Sequence, residues 1–202
     1  MNNFLENIVA YESIFVALVT FISTFGGLYL KTRFQKKSCD AAFRKTINRN
    51  SEIIFALKKL CKDLSADRVY IYEFHNGNYF STGWPMQKFT CTYEYVRDGI
   101  SSECENPGEY RISNYNEYIE QMVNNKKFAV TDVANMKDNA LLKNLLTTKG
   151  VKSMYNFPIM TLSDRTVGFL GVDFVSAPRS INEEQEKKII SSVKRISGYI
   201  LN

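Results

Sequence analysis

The sequence has little that supports catalysis. His75 is the only histidine among 202 residues, so no paired-histidine metal site can form and any histidine-based acid–base pair would have to use this residue. No G-x-S-x-G, H-E-x-x-H, P-loop or G-x-G-x-x-G motif occurs. We therefore expect no enzymatic activity, no cofactor and no metal site.

Proline and glycine are also scarce, with 4 and 10 residues, whereas aromatic residues are plentiful, with 14 Phe and 12 Tyr. This composition is typical of a folded protein and not of a disordered one. The length fits one domain of ordinary size with an appendage.

The sequence has four cysteines and no C-x-x-C pair. We expect these cysteines to be free thiols, because their spacing is uneven. Their even number also permits two disulfides if the domain is exported, so the composition leaves both states open. The cysteines are Cys39, Cys61, Cys91 and Cys104.

Charge is missing from residues 13–30. As a helix, this run would span about 27 Å, which is close to the thickness of a bilayer core. It predicts a transmembrane helix over residues 13–30 within an N-terminal segment of residues 1–30. A buried core helix and a secretory signal are the alternatives.

Basic residues follow this run, with seven in residues 31–49 against one acidic residue. By the positive-inside rule, they predict a single-pass protein of the cell (inner) membrane with its N-terminus outside and its C-terminal domain in the cytoplasm. Anionic headgroups could contact Lys31, Arg33, Lys36 and Lys37. Residues 50–202 have a net charge of only +1, so we expect no nucleic-acid binding.

A basic juxtamembrane segment and a connecting helix are predicted over residues 31–64. Residues of this helix recur at alternating spacings of four and three, as in a left-handed coiled coil, which predicts a homodimer or homo-oligomer through residues 43–64. The alternative is that the helix packs on its own domain, with Ile53 and Phe55 as a second apolar edge. The residues with this spacing are Phe43, Ile47, Asn50, Ile54, Leu57, Cys61 and Leu64.

From residue 65 onwards the pattern predicts an α+β domain with an antiparallel sheet, over residues 65–202. The segments "RVYIYEF", "KFTCTYEYV", "FAVTDV", "KSMYNFPIMTL" and "TVGFLGVDFV" are rich in β-branched and aromatic residues, as strands are. Helices are predicted at Tyr115–Asn124 and Asn139–Thr148. A final helix is predicted after the N-cap Asn182, and "SDRT" predicts a tight hairpin turn.

Residues 38–200 resemble the GAF family of small-molecule and signal-sensing domains. The resemblance lies in the "DRVYIYEFH" strand, the "GVKSMYNFPIM" and "VGFLGVDFV" hairpin, and the leading and closing helices. It implies a GAF-like sheet flanked by helices, a ligand held between the sheet and its middle loops, and dimerisation through helices.

A second resemblance is to the holins of large tailed phages, which also join one N-terminal membrane helix to an α+β domain. "SMYNFPIMTLSDRTVGFLGVDFV" and "INEEQEKKIISSVKRI" are similar to their last hairpin and helix. This resemblance implies a membrane effector that controls host cell lysis. Those holins have basic residues before the anchor, whereas this chain has them after it.

Polar residues interrupt otherwise apolar strands. Alternation predicts Val69, Ile71, Glu73 and His75 on one face of the first strand and Tyr70, Tyr72 and Phe74 on the other, so both faces should be covered. A buried carboxylate must be paired, solvated or bound to a ligand, because an unpaired one costs several kcal/mol. A local polar network is the simplest alternative to binding.

The segment "YEFHNGNYFSTGWP" contains aromatic residues that either fold back onto the sheet or line a pocket for a flat ligand. "NG" is also a common turn signal, so a simple turn is the alternative. The predicted ligand-binding residues are Glu73, His75, Asn76, Tyr79, Phe80, Trp84, Lys88, Tyr93, Asn156 and Asp173.

Together these patterns predict a membrane-anchored GAF-like module that senses a small molecule or relays a signal to the membrane segment. The alternatives are a holin-type effector and a structural membrane adaptor.

Overall fold

The computed structural model describes residues 2–79, 82–83, 85–104 and 108–201, without the side chains of residues 2–15, 34, 37, 78, 85 and 86. The chain divides into two compact units, Met1–Asn48 and Arg49–Asn202.

The described residues form four α-helices, one 3₁₀ helix and six strands. They are α1 (Asn2–Leu64), β1 (Arg68–Tyr79), β2 (Pro85–Val96), β3 (Tyr110–Arg111), a 3₁₀ helix (Ile112–Asn114), α2 (Asn116–Asn125), β4 (Phe128–Val130), α3 (Ala140–Thr148), β5 (Ser153–Met160), β6 (Thr166–Phe174) and α4 (Glu183–Ile200).

The described strands form one antiparallel sheet of six strands in the order β3-β2-β1-β6-β5-β4. Helices cover both of its faces. The predicted α+β class with an antiparallel sheet is therefore confirmed, and the predicted helices correspond to α2, α3 and α4.

The predicted membrane anchor is wrong. Residues 13–30 do lie in a helix, but within the described part of the chain no helix is long and apolar enough to cross a bilayer. The uncharged run lies between Glu12 and Lys31, and its 18 residues are at the short end of the roughly 17–25 that a spanning helix needs.

The localisation that depended on this anchor, a single-pass inner-membrane protein with a cytoplasmic C-terminal domain, falls with it. Of the four basic residues predicted to contact headgroups, Lys31, Arg33 and Lys36 are exposed on α1. The side chain of Lys37 lies outside the described residues.

One face of the sheet packs against α4 and the C-terminal part of α1. Ile53, Leu57, Leu60 and Leu64 recur at helical spacing and are fully buried there, because they lie on the side of α1 that meets the sheet. The predicted coiled-coil positions are therefore divided. Leu57, Cys61 and Leu64 are buried against the sheet of their own domain, whereas Phe43 is exposed.

Helix α4 begins where the sequence predicts. The Asn182 side chain accepts a hydrogen bond from the Gln185 backbone N–H at 2.9 Å, and the Gln185 side chain accepts one from the Asn182 N–H at 3.0 Å. This reciprocal capping box satisfies two N–H groups that the first turn leaves free. Ile189, Val193 and Ile196 then face the core.

The opposite face of the sheet packs against α2 and α3 and is rich in aromatic rings. Tyr70 and Tyr72 of β1 point into this layer, whereas Val69 and Ile71 point into the layer beneath α1. The predicted alternation along β1, with apolar cover on both faces, is thus confirmed.

A bulge in β2 changes which residues share a face. Ile71 pairs with Tyr93 but Tyr72 pairs with Cys91, so Thr92 is an extra residue. Cys91 therefore lies on the aromatic face, and Tyr93 lies on the face of α1. Simple alternation would have placed both on the same face.

Candidate functional site

A cavity of about 40 Å³ lies between the sheet and helices α2 and α3. We name it the aromatic cavity, because seven rings of described residues line it together with the aliphatic side chains of α3. The rings are Tyr70, Tyr72, Phe89, Tyr110, Tyr115, Tyr118 and Phe169.

The rings contact one another in the geometries that aromatic pairs favour. Tyr72 of β1 stacks on Phe169 of β6, with centroids 5.2 Å apart and ring planes at 12°. Phe89 of β2 stacks on Tyr110 of β3 at the same centroid distance. Four neighbouring strands, β6, β1, β2 and β3, thus contribute rings to one continuous aromatic wall.

A buried arginine lies at one end of this wall. The Arg68 side chain is 1% exposed, and its Nη1 donates a hydrogen bond to Asp173 Oδ2 at 3.2 Å. Its Nη2 donates to the Ser101 carbonyl oxygen at 3.1 Å and lies 3.4 Å from Glu103 Oε1. Its Nε lies 3.4 Å from Glu94 Oε1 but makes no hydrogen bond. Three carboxylates therefore surround one guanidinium.

Asp173 continues this network into the cavity. The Tyr70 hydroxyl lies 3.0 Å from Asp173 Oδ1 and 3.1 Å from Asn156 Oδ1, and its single proton can be donated to only one of them. Asn156 Nδ2 donates to the Tyr118 oxygen at 2.5 Å. Burial raises the pKa of Asp173 to about 6, even though Arg68 and Tyr70 act to lower it.

Lys149, which follows α3, brings a second cation to the cavity. Its Nζ lies 3.1 Å from Glu103 Oε2, 3.3 Å from the Tyr72 hydroxyl and 5.3 Å from the Tyr110 ring centroid. Burial acts to lower the pKa of Lys149, but Tyr72, Tyr110 and Glu103 outweigh it and raise that pKa above its ordinary value. The amine is therefore an ammonium at neutral pH.

A disulfide joins Cys91 in the cavity wall to Cys104, with Cα atoms 5.3 Å apart. This separation lies in the ordinary range for disulfides. The prediction of free thiols is thus wrong for this pair, because the fold brings together two cysteines that their spacing does not single out. Cys39 and Cys61 are free, the first exposed and the second buried.

Of the predicted site residues that the structure describes, only Asn156 and Asp173 line the aromatic cavity. The Tyr93 hydroxyl instead donates to Asn50 Oδ1 at 2.8 Å on the opposite face of the sheet. The β2 bulge accounts for this difference. Phe80 and Trp84 lie outside the described residues.

The remaining predicted residues that the structure describes lie in the outer part of the β1–β2 hairpin. His75 Nε2 lies 2.8 Å from Thr90 Oγ1, and Lys88 forms an ion pair with Glu109. Glu73 is half-buried, and Asn76 and Tyr79 are exposed. A ligand-binding role for this group stays a prediction.

Four charged residues of the site were missed: Arg68, Glu94, Glu103 and Lys149. Glu94 interrupts the pattern of β2, which is the same signal that identified Asp173, whereas Arg68 is the first residue of β1. Glu103 and Lys149 lie in irregular segments, where no periodicity marks a buried charge. Among the described residues no group of acidic, histidine or cysteine side chains is placed to hold a metal ion.

No known family model matches the sequence, and no curated protein matches it. Solved structures do match. A phycocyanobilin-bound GAF domain from a cyanobacterial phytochrome has a TM-score of 0.62 at 19% identity, over 81% of this chain and 90% of that one. The fold is GAF-like. The resemblance noted in the sequence is thus confirmed at the level of fold.

Two further GAF-like relatives have similar values. The GAF domain region of a putative membrane protein from Geobacter sulfurreducens has a TM-score of 0.58 at 19% identity, over 79% of this chain and 97% of that one. The Thermosynechococcus elongatus PixJ GAF domain, in its blue-light absorbing form, has a TM-score of 0.60 at 17% identity, over 78% of this chain and 89% of that one. At such low identity, the similarity establishes the GAF-like fold and nothing finer.

Proposed function

We propose that this GAF-like chain is a sensory or regulatory module that binds a small planar molecule in the aromatic cavity. The observation that carries the proposal is the wall of seven rings with buried charged groups at one end. Ligand sites combine a mostly apolar lining with a few placed polar groups in this way. No catalytic step forms part of the proposal.

The structural similarity supports a small-molecule ligand. One similar structure is described as phycocyanobilin-bound, which makes a conjugated planar molecule a reasonable probe. At about 40 Å³ the cavity is far below the roughly 300 Å³ of a typical small-molecule site. Binding therefore requires side chains or a loop around the cavity to move.

We further propose that the chain forms a homodimer through residues 43–64. Phe43, Ile54 and Phe55 are 66%, 36% and 58% exposed on α1, and Phe43 and Ile54 belong to the predicted coiled-coil spacing, whose apolar residues a partner helix would cover. The holin-type effector and the membrane adaptor both depended on the anchor and are not retained.

A ligand-stabilisation screen tests the binding function. The full chain is unfolded thermally with phycocyanobilin, nucleosides and small aromatic acids, and a ligand present at 100 times its Kd should add about 2.7 kcal/mol to the free energy of unfolding. Tyr110→Ala removes a ring of the wall and should abolish this shift. Tyr95→Ala is the matched control, because Tyr95 is a half-buried tyrosine on the other face of the sheet.

Two results would contradict the proposal: no compound stabilises the wild type, or the Tyr110→Ala protein keeps its full shift. A His75→Ala variant in the same screen tests the hairpin residues. Loss of the shift in that variant alone would place the site in the β1–β2 hairpin instead.

A further inference from the structure

The Glu103 carboxylate occupies the position between the two cations of the site. One oxygen lies 3.4 Å from Arg68 Nη2 and the other lies 3.1 Å from Lys149 Nζ. Arg68 is held in β1 and Lys149 directly follows α3, whereas Glu103 lies in an irregular segment between β2 and β3. The cations are therefore fixed by the fold, and the anion is carried by a connecting segment.

We propose that Arg68 and Lys149 form a carboxylate-binding subsite, which Glu103 fills as a tethered competitor until the Cys91–Cys104 disulfide is reduced. The ligand class is a small aromatic carboxylate, with its ring against the tyrosines of the cavity. This inference rests on the proposed binding function and adds to it the ligand class and a redox control.

The disulfide holds Glu103 in place because Cys104 is its neighbour in the chain. For the described residues 101–104, the further hydrogen bonds that the structure shows, apart from the contacts with Arg68 and Lys149, all go to one carboxylate. Glu94 accepts hydrogen bonds from the backbone N–H groups of Glu103 and Cys104, at 2.9 and 3.1 Å, and from the Ser102 hydroxyl at 2.6 Å. Breaking the S–S bond removes the covalent constraint, so that only these hydrogen bonds and the contacts with Arg68 and Lys149 hold the segment.

The two cations respond differently when Glu103 leaves. Arg68 keeps Asp173 and Glu94, so its charge stays paired. Among the described residues, Glu103 supplies the only carboxylate within ion-pairing distance of Lys149, whose side chain is 13% exposed. A largely buried ammonium without a counter-ion is costly, so this position favours an incoming anion.

The surroundings of Lys149 select an aromatic body for that anion. Its ammonium lies over the Tyr110 ring and beside the Tyr72 hydroxyl. Tyr72 in turn stacks on Phe169, which continues the apolar wall on the neighbouring strand. A flat ring with one carboxylate at its edge matches this order of groups.

The redox step is a thiol–disulfide exchange. A dithiol reductant supplies two electrons and two protons, the Cys91–Cys104 bond breaks to give two thiols, and the dithiol closes to its own cyclic disulfide. Oxidation by a disulfide of the same class reverses the reaction and returns Glu103 to the two cations.

Isothermal titration of the full chain tests the inference, with benzoate and indole-3-carboxylate as ligands and benzamide as the neutral control. We expect both acids to bind at least about tenfold more tightly to the dithiothreitol-reduced protein than to the oxidised one, because a competitor held at high effective concentration has been removed. The Cys91→Ser/Cys104→Ser protein should match the reduced wild type without reductant.

Glu103→Gln in the oxidised protein should give the same gain, and Lys149→Met in the reduced protein should remove the preference for acid over amide. Circular dichroism checks that each variant is folded. If Glu103→Gln does not fold, the reduction and double-cysteine arms still decide the outcome.

Equal affinity of the acids for the oxidised and reduced forms would overturn the inference, as would equal binding of benzamide. Tight binding of neutral aromatic compounds to every form would overturn the subsite but leave the proposed binding function standing. If neither acids nor neutral compounds bind any form of the protein but the ligand-stabilisation screen finds another ligand, the carboxylate inference is wrong and the proposed binding function stands. If that screen also finds no ligand, both the inference and the proposed function are wrong.

Discussion

Two buried carboxylates show how the surroundings of a residue decide its charge. Burial raises the pKa of Asp173 to about 6 and outweighs the nearby Arg68. Burial acts in the same direction on Asp67, but the backbone N–H groups of Ser176 and Val175, at 2.9 and 2.7 Å, and the Arg97 guanidinium lower its pKa below the ordinary value. Hydrogen bonds to the ionised form therefore decide whether the pKa of a buried carboxyl group is raised or lowered.

The two residues should affect stability with opposite pH dependence. Between about pH 4 and pH 6, folded Asp173 keeps a proton that the unfolded chain has lost, so its contribution to the free energy of unfolding falls as pH rises through this window. Asp67 contributes stability above its unfolded pKa, near 3.8, and loses it as pH falls.

Urea unfolding of wild type, Asp173→Asn and Asp67→Asn from about pH 3 to pH 7 measures this difference. We expect the wild type to lose stability relative to Asp173→Asn as pH rises from 4 to 6. Relative to Asp67→Asn, it should lose stability as pH falls below about 4. Parallel curves for wild type and Asp173→Asn would show that Asp173 does not retain a proton in the folded state.

A glycine in β6 gives a second prediction for a single residue. A Cβ atom at Gly171 would overlap the Tyr70 ring and Asn156 Oδ1, both of which belong to the polar network of the site. Gly171→Ala should therefore destabilise the protein by about 1–3 kcal/mol, as overpacking does. Gly198→Ala, in helix α4 with no atom near the added Cβ, should stabilise it by about 0.5–1 kcal/mol. Denaturant unfolding measures the stability of both variants. If Gly171→Ala leaves the free energy of unfolding unchanged, the Tyr70 ring can move to make room for the added methyl group.

At the scale of elements, α1 shows how one helix can carry two apolar surfaces. Leu57 and Leu64 are buried under the sheet, whereas Phe43 and Phe55 are exposed. A spacing of three and four identifies apolar positions on a helix but not the partner against which each is buried. The sequence could therefore predict the helix without deciding how much of it pairs with another chain.

Self-association through α1 is testable with exposed phenylalanines. The double variant Phe43→Ser/Phe55→Ser should shift the chain from dimer towards monomer in sedimentation equilibrium, because it removes apolar surface that a partner helix would cover. Phe21→Ser is the matched control, since Phe21 is 59% exposed on the same helix outside residues 43–64. A wild type that is monomeric at all concentrations would rule out this dimer.

At the scale of the whole molecule, the disulfide is the covalent constraint on the fold. Cys91 and Cys104 are 13 residues apart, and closing a loop of about this length restricts the unfolded chain by roughly 3 kcal/mol. Reduction should lower the free energy of unfolding by about 2–3 kcal/mol. The Cys91→Ser/Cys104→Ser protein should show no difference between oxidising and reducing buffers, whereas Cys39→Ser should behave as the wild type does. Identical urea midpoints for oxidised and reduced wild type would contradict this prediction.

Local sequence patterns predicted most of the elements and the α+β class. Strand alternation, the helical spacing of Ile189, Val193 and Ile196, and the Asn182 cap depend on residues close together in the chain, and local backbone geometry responds to them directly. The same alternation marked Asn156 and Asp173 as polar groups that need partners.

Which side chains come into contact, by contrast, depends on the tertiary structure. The bulge that separates Cys91 from Tyr93, the disulfide, and the placement of Glu103 between Arg68 and Lys149 all depend on strand register and on segments far apart in the chain. No local pattern contains that information, because a buried charge in an irregular segment looks the same in sequence as an exposed one. The site is therefore a product of the fold, built on elements that the sequence predicts.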